Sequence, residues 1–321
     1  MRYYNNVLEA IGNTPLIRLN KVIKKKNVTV LAKLECMNPG GSVKDRVGVG
    51  MIDKAEKMGL IKPSATIVEP TSGNTGVGLA QVAAVRGYKS IFVMPEKMSK
   101  EKELLLRAYG ADVIRTPTEA GPEDPRSNYK VSERIAKEKK GAFRPNQYAN
   151  KYNPMAHFET TGPEIWRDTD GKITHFVACL GTGGTVSGTG RFLKGKKKGV
   201  KIIGVDPEGS IFYDRFYHKK EHFHTYKLEG IGEDFIPETT DMNAMDEMIK
   251  VSDKGAFLMA RELVRKEGLF VGGSSGAAVL AAKKLVKNLK SGTIVVLLPD
   301  TGRNYLSTIF NDDWMKSNGF M

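Results

Sequence analysis

The chain has 321 residues, 40% hydrophobic and 27% charged, the balance of a folded globular protein with room for two domains. No apolar run is long enough to cross a membrane, Met1 to Asn6 lack a signal-peptide core, and two cysteines without a CxxC pattern, Cys36 and Cys179, exclude a disulfide framework or zinc knuckle, so a cytoplasmic protein is expected. The net charge of +14 raises nucleic-acid binding, but lysine runs such as Lys24–Lys26 and Lys196–Lys198 are not interleaved with base-stacking aromatics and read as solvated faces.

Val30 to Glu35 reads as a strand, followed by the turn NPGGSVKDR (38–46) and a helix-period apolar pattern at Val47, Met51, Ala55 and Met58. Thr66 to Glu69 is a second strand, then come TSGNTG (71–76) and a helix over Gly78 to Ala84. Strand Ser90–Met94, helix Glu101–Tyr109 and strand Ala111–Ile114 follow, with 115–128 as a long surface loop. Asn153 and Pro154 suggest a helix start, Asn as cap and Pro in the first position. Strand His175–Leu180, the loop GTGGT (181–185), a helix from about Val186 and strand Lys201–Val205 continue the alternation. Residues 206–240 are the least regular. The run Leu269–Val271 leads into GGSSG (272–276), a helix over Ala277–Lys287 and strand Thr293–Leu298. Repeated strand–loop–helix units predict an α/β protein with parallel sheets covered by helices.

Lys44 directly follows a glycine-rich turn. A lysine held at the mouth of a fold can be depressed in pKa and form a Schiff base. The loops 71–76, 181–185 and 272–276 each follow an apolar run, and ligands of open α/β sheets bind beyond the carboxyl ends of strands. Glycines there let backbone N–H groups approach an anion, and the following helix favours negative charge. A dinucleotide fingerprint at Gly181, with Asp206 as its ribose acid, fails because Val186 stands where the third glycine belongs. GRFLKGKK (190–197) lacks the Ser/Thr of a phosphate-binding P-loop and ends a helix rather than opening one. His218, His222 and His224 have no completing carboxylate or cysteine, so no metal is expected.

From IGNTPLIRL (11–19) through PGGSVKDR, EPTSGNTG, MPEKMS, NQYANKYNP, GTGGT, GVDPEGS, EGIGEDFIP and GGSSG to LLPDTGRNY (297–305), the chain resembles the cystathionine β-synthase and cysteine synthase family. These are the β-replacing pyridoxal phosphate enzymes of fold type II, similar in fold to tryptophan synthase β. The resemblance implies two open, twisted, mainly parallel sheets flanked by helices. It implies a smaller mobile domain over 46–150 closing on a larger one made of 1–45 and 151–321, in a homodimer.

It further implies that Lys44 carries pyridoxal 5′-phosphate, that Asn74 meets its 3′ oxygen, and that Gly181, Thr182, Gly183, Gly184 and Thr185 cradle its phosphate. Ser274 would face the pyridine nitrogen, a neutral partner that restrains carbanion build-up and favours β elimination. Thr71, Ser72, Asn74, Thr75 and Gln147 would grip the substrate carboxylate. The implied partners are small amino-acid and thiol substrates, with no nucleic acid and no membrane. Stretches 95–121, 204–212, 228–237 and 297–305 look more like cystathionine β-synthase, which joins L-serine and L-homocysteine, than cysteine synthase, which joins an activated serine and sulfide. Asp214 falls near the expected entrance for the second substrate. Few residues precede IGNTPL or follow NDDWM (311–315), so neither haem nor adenosylmethionine control is expected.

Overall fold

The structure is a computed structural model that describes every residue except Arg2 and Ser72. In chain order its elements begin with β1 (Leu16–Arg18), β2 (Val28–Leu34), α1 (Lys44–Lys57), β3 (Thr66–Pro70), α2 (Asn74–Arg86), β4 (Lys89–Pro95) and α3 (Lys100–Ala108). Then come β5 (Asp112–Thr116), α4 (Asn128–Glu138), β6 (Ala142–Phe143), α5 (Tyr152–Ala156), α6 (Gly162–Asp168), β7 (His175–Cys179) and α7 (Gly184–Lys196). The last are β8 (Lys201–Pro207), α8 (Phe212–Phe216), β9 (Glu247–Val251), α9 (Asp253–Glu267), α10 (Gly273–Asn288), β10 (Gly292–Leu298) and α11 (Asp312–Ser317).

These elements form two compact units, Met1–Gly12 with Asn38–Asn153, and Asn13–Met37 with Pro154–Met321. The first holds a four-stranded parallel sheet in the order β5-β4-β3-β6. The second holds a six-stranded sheet, β1-β2-β10-β7-β8-β9, parallel except for the edge strand β1. The expected α/β class with two mainly parallel sheets is what the chain adopts. Central strands read as unbroken apolar runs because both faces are covered; Phe176, Val177 and Ala178 in β7 are fully buried.

The unit boundaries fall at other places than the sequence suggested. Lys44 lies in the smaller unit, because its turn is bound there. Gly12 N–H donates to Asn38 Oδ1 at 2.8 Å and Gly40 N–H to Asp45 Oδ2 at 2.5 Å. Behind that turn, α1 and α2 approach backbone to backbone. A Cβ on Gly48 would stand 2.5 Å from the Gly78 carbonyl carbon, and one on Gly78 would stand 2.5 Å from Lys44 O. Only two glycines permit that crossing.

Several local expectations change. The helix expected to start at Asn153 starts at Tyr152, whose N–H donates to Asn150 Oδ1 at 2.9 Å, so Asn150 is the capping side chain. It then runs through a π-helical turn, His157–Thr161, into α6. Leu269–Val271 makes only an isolated bridge, Val271 to Thr301. The GRFLKGKK stretch spans the end of α7, and Lys25 Nζ caps the far end of α10 through Val286 O and Lys287 O.

Asp206, at the end of β8, accepts the Tyr213 N–H at 2.9 Å and so caps α8. Burial pushes its carboxyl up to about 6. Because the folded state holds this proton more tightly than the unfolded chain (pKa about 3.9), its contribution to stability is full below about pH 4. It is lost as the pH rises to about 6, by on the order of 2–3 kcal/mol. Urea midpoints at pH 4.5, 6 and 7.5 should show Asp206→Asn gaining on the wild type as the pH rises; a constant difference would refute the assignment. Gly48→Ala should destabilise by about 1–3 kcal/mol, although alanine in an unobstructed helix would stabilise by about 1 kcal/mol. A melting temperature that rises in calorimetry would contradict the crossing.

Candidate active site

In the smaller unit, the NPGGS turn delivers Lys44 as the first residue of α1, half-buried, its N–H donating to Ser42 Oγ at 3.2 Å. The carboxyl end of β3 runs into TSGNTG. Thr71 Oγ1 accepts from Gly73 N at 2.9 Å and Gly76 N at 3.1 Å, which uses both lone pairs and leaves its proton to donate. Helix α2 then starts at Asn74 without a side-chain cap, its positive end toward the loop. Thr75 O–H donates to Gln147 Oε1 at 2.6 Å. Its hydroxyl is thereby committed as a donor, so it holds Gln147 rather than offering a proton to a carboxylate. Ser72 lies outside the described residues.

In the larger unit, GTGGT follows β7. A Cβ on Gly181 would meet Gly230 O at 2.7 Å, and one on Gly183, which has φ +75°, would meet Thr240 Oγ1 at 2.0 Å. Thr239 Oγ1 donates to Thr182 O at 2.5 Å. Helix α7 opens at Gly184 without a side-chain cap. Thr185 Oγ1 lies 3.2 Å from Nε2 of His157, a fully buried histidine whose Nδ1 is 2.9 Å from Thr161 Oγ1. The π-helical turn sets His157 at that angle, a distortion often found at functional sites. Ser274 is buried in the first turn of α10, and its carbonyl accepts the Cys179 thiol at 3.2 Å.

Burial pushes Cys36 up to about 11 and Cys179 higher still, so both are inert thiols at neutral pH. Asp214, placed by sequence near the second-substrate entrance, is spent elsewhere: Lys250 Nζ is 3.0 Å from Oδ1 and His222 N–H donates to Oδ2. Among the described residues no His, Cys, Asp and Glu group is arranged to hold a metal, and no helix is long and apolar enough to cross a membrane. Sequence reasoning missed Glu69, His157 and Thr239. A glutamate inside the apolar run Thr66–Pro70 was the one visible signal.

The family model described as pyridoxal-phosphate dependent enzyme matches residues 7–300. The chain belongs to this family. It is 50% identical over 319 residues to the cystathionine beta-synthase of Apis mellifera, an alignment covering 98% of this chain and 63% of that protein. It is 43% identical to that of Saccharomyces cerevisiae, covering 98% and 64%. The chain thus spans less than two thirds of the length of these curated relatives. Among solved structures, the O-acetylserine dependent cystathionine beta-synthase of Helicobacter pylori superposes with TM-score 0.89 at 40% identity, covering 96% of this chain and 99% of that one. A hydrogen sulfide-producing enzyme of Fusobacterium nucleatum gives 0.89 at 41%, covering 95% and 100%.

The 181–185 cradle fits the cofactor's phosphate. Side chains are excluded from it by the close approach of Gly230 and Thr240, and an uncapped helix start supplies N–H groups for an anion. If His157 holds the Thr185 hydroxyl, His157→Phe should weaken cofactor binding about tenfold. Fluorescence titration of cofactor-free protein with pyridoxal phosphate measures this, and unchanged affinity would remove His157 from the site.

Proposed function

We propose that this protein catalyses β-replacement on a serine-type amino acid by a thiol, as a cystathionine β-synthase joining L-serine and L-homocysteine. The observation that carries the reading is the pairing of Lys44 after its glycine turn with a TSGN loop and Gln147 built to receive a carboxylate. The relatives named cystathionine beta-synthase support it.

Bound to Lys44, pyridoxal phosphate supplies the electron sink that acidifies the substrate Cα–H and permits loss of the β substituent. The 181–185 loop would hold the phosphate, and Asn74 and Ser274 would hold the ring. Thr71 and Gln147 donate to the substrate carboxylate, assisted by Ser72 and the amino end of α2 at Asn74 and Thr75. Lys44 Nζ would act as the general base that takes the Cα proton and as the acid that returns it after the thiol has added. Closure of the smaller unit to exclude water, a homodimeric state and a cytoplasmic location belong to the same proposal, and rest on the family resemblance.

A second reading has a specific support. The Helicobacter pylori neighbour is described as O-acetylserine dependent, so the leaving group here can be acetate rather than hydroxide, with sulfide or homocysteine as acceptor. Mixing the purified enzyme with homocysteine and either L-serine or O-acetylserine, and quantifying cystathionine, decides between them. Turnover with serine supports the first reading, and turnover with O-acetylserine alone supports the second. Lys44→Ala should lower either rate by more than about 10³-fold. Substantial residual β-replacement would sink the assignment of Lys44.

A further inference from the structure

Glu69 is the one charged residue of β3 and is wholly buried. A carboxylate so placed is costly unless hydrogen bonds replace its water, and here they come from two successive backbone amides. Asn146 N–H donates to Oε2 and Gln147 N–H to Oε1, each at 2.8 Å. Asn146 has φ +55°, the left-handed conformation that turns consecutive N–H groups toward one anion. The turn after β6 is thereby clamped to the end of β3.

That clamp also fixes a side chain. Gln147 Nε2 donates to Pro70 O at 3.0 Å, its Oε1 accepts from Thr75 at 2.6 Å, and its carbonyl accepts Asn153 Nδ2 at 2.8 Å. With its oxygen occupied and one amide hydrogen on Pro70, the carboxamide has a second hydrogen to present, in a direction set by the backbone. We infer that Glu69 is a positioning residue for substrate: through the 146–147 amides it aims the Gln147 carboxamide at the α-carboxylate of the incoming amino acid. This rests on the proposed function, and adds to it the element that determines recognition of the carboxylate.

Glu69→Gln tests the inference, because it keeps the shape but turns an N–H₂ group toward one of the two backbone N–H donors. The holoenzyme is titrated with L-serine and with O-acetylserine, following the visible cofactor band, and with serine methyl ester, which lacks the carboxylate. The variant should retain the wild-type cofactor content and spectrum. Its dissociation constants for the two free amino acids should rise about ten- to hundredfold, while that for the ester changes less than about twofold. In steady state the loss should appear in KM for the amino acid and not in kcat.

Unchanged amino-acid affinity would overturn the role of Glu69, and so would an equal loss for acid and ester, which marks a purely architectural carboxylate. Should Glu69→Gln not fold, Glu69→Asp keeps the charge one methylene short. It should lose affinity selectively for the free acids by a smaller factor, and a wild-type constant would again overturn the role. A wild-type holoenzyme blind to serine and O-acetylserine alike would refute the proposed function itself, an outcome distinct from a responsive wild type with an equally responsive variant.

Discussion

The crossing of α1 and α2 at Gly48 and Gly78 is the constraint on which the smaller unit's chemistry depends. It brings the Lys44 carbonyl to within a methyl group's reach of α2, the helix whose first residue is Asn74. Two elements that begin in different loops are thereby locked in one register, and the separation of their amino termini is set by backbone contact instead of by adaptable side chains. Glycine in a helix interior costs about 1 kcal/mol relative to alanine. That cost is offset here by a crossing that sets where the Lys44 side chain begins its reach.

The same design recurs one layer out. Groups on the motif loops are held by one another and by partners outside the motifs: Thr75 and Pro70 hold Gln147, Thr239 holds the Thr182 carbonyl, and His157 meets Thr185. Each such bond removes a rotamer choice before any ligand arrives, which is how a site gains electrostatic preorganisation. The partners lie on a strand, a helix start, a π-helical turn and a neighbouring loop.

Sequence alone made the fold class and the glycine loops legible, because buried parallel strands are short apolar runs and the loops punctuate them. The run Phe176–Leu180 and the glycines after it show both signals at once. What escaped has physical causes. β1 has three residues and β6 has two, too few to show a period. The π-helical turn breaks the 3.6-residue pattern, so Asn153 looked like a cap although it lies inside a helix. Asp214 was expected near the entrance for the second substrate, but Lys250, distant in sequence, occupies it. Glu69 stands inside an apolar run, but only the turn at Asn146 reveals what satisfies it there.

Strand order carries a consequence for how the chain reaches this state. β10 lies between β2 and β7, with Val30 beside Ile294, so nearly the whole polypeptide separates two neighbours in one sheet. During synthesis, the continuous block from Asn38 to Asn153 is complete long before β10 emerges, and until then the six-stranded sheet exists only as β1–β2 and, later, β7–β8–β9. Both fragments then show unpaired strand edges, and the non-local pairing that joins them is intrinsically slow. A ribosome that stalls before Gly292 therefore leaves a hole in the middle of the larger sheet, not a frayed margin.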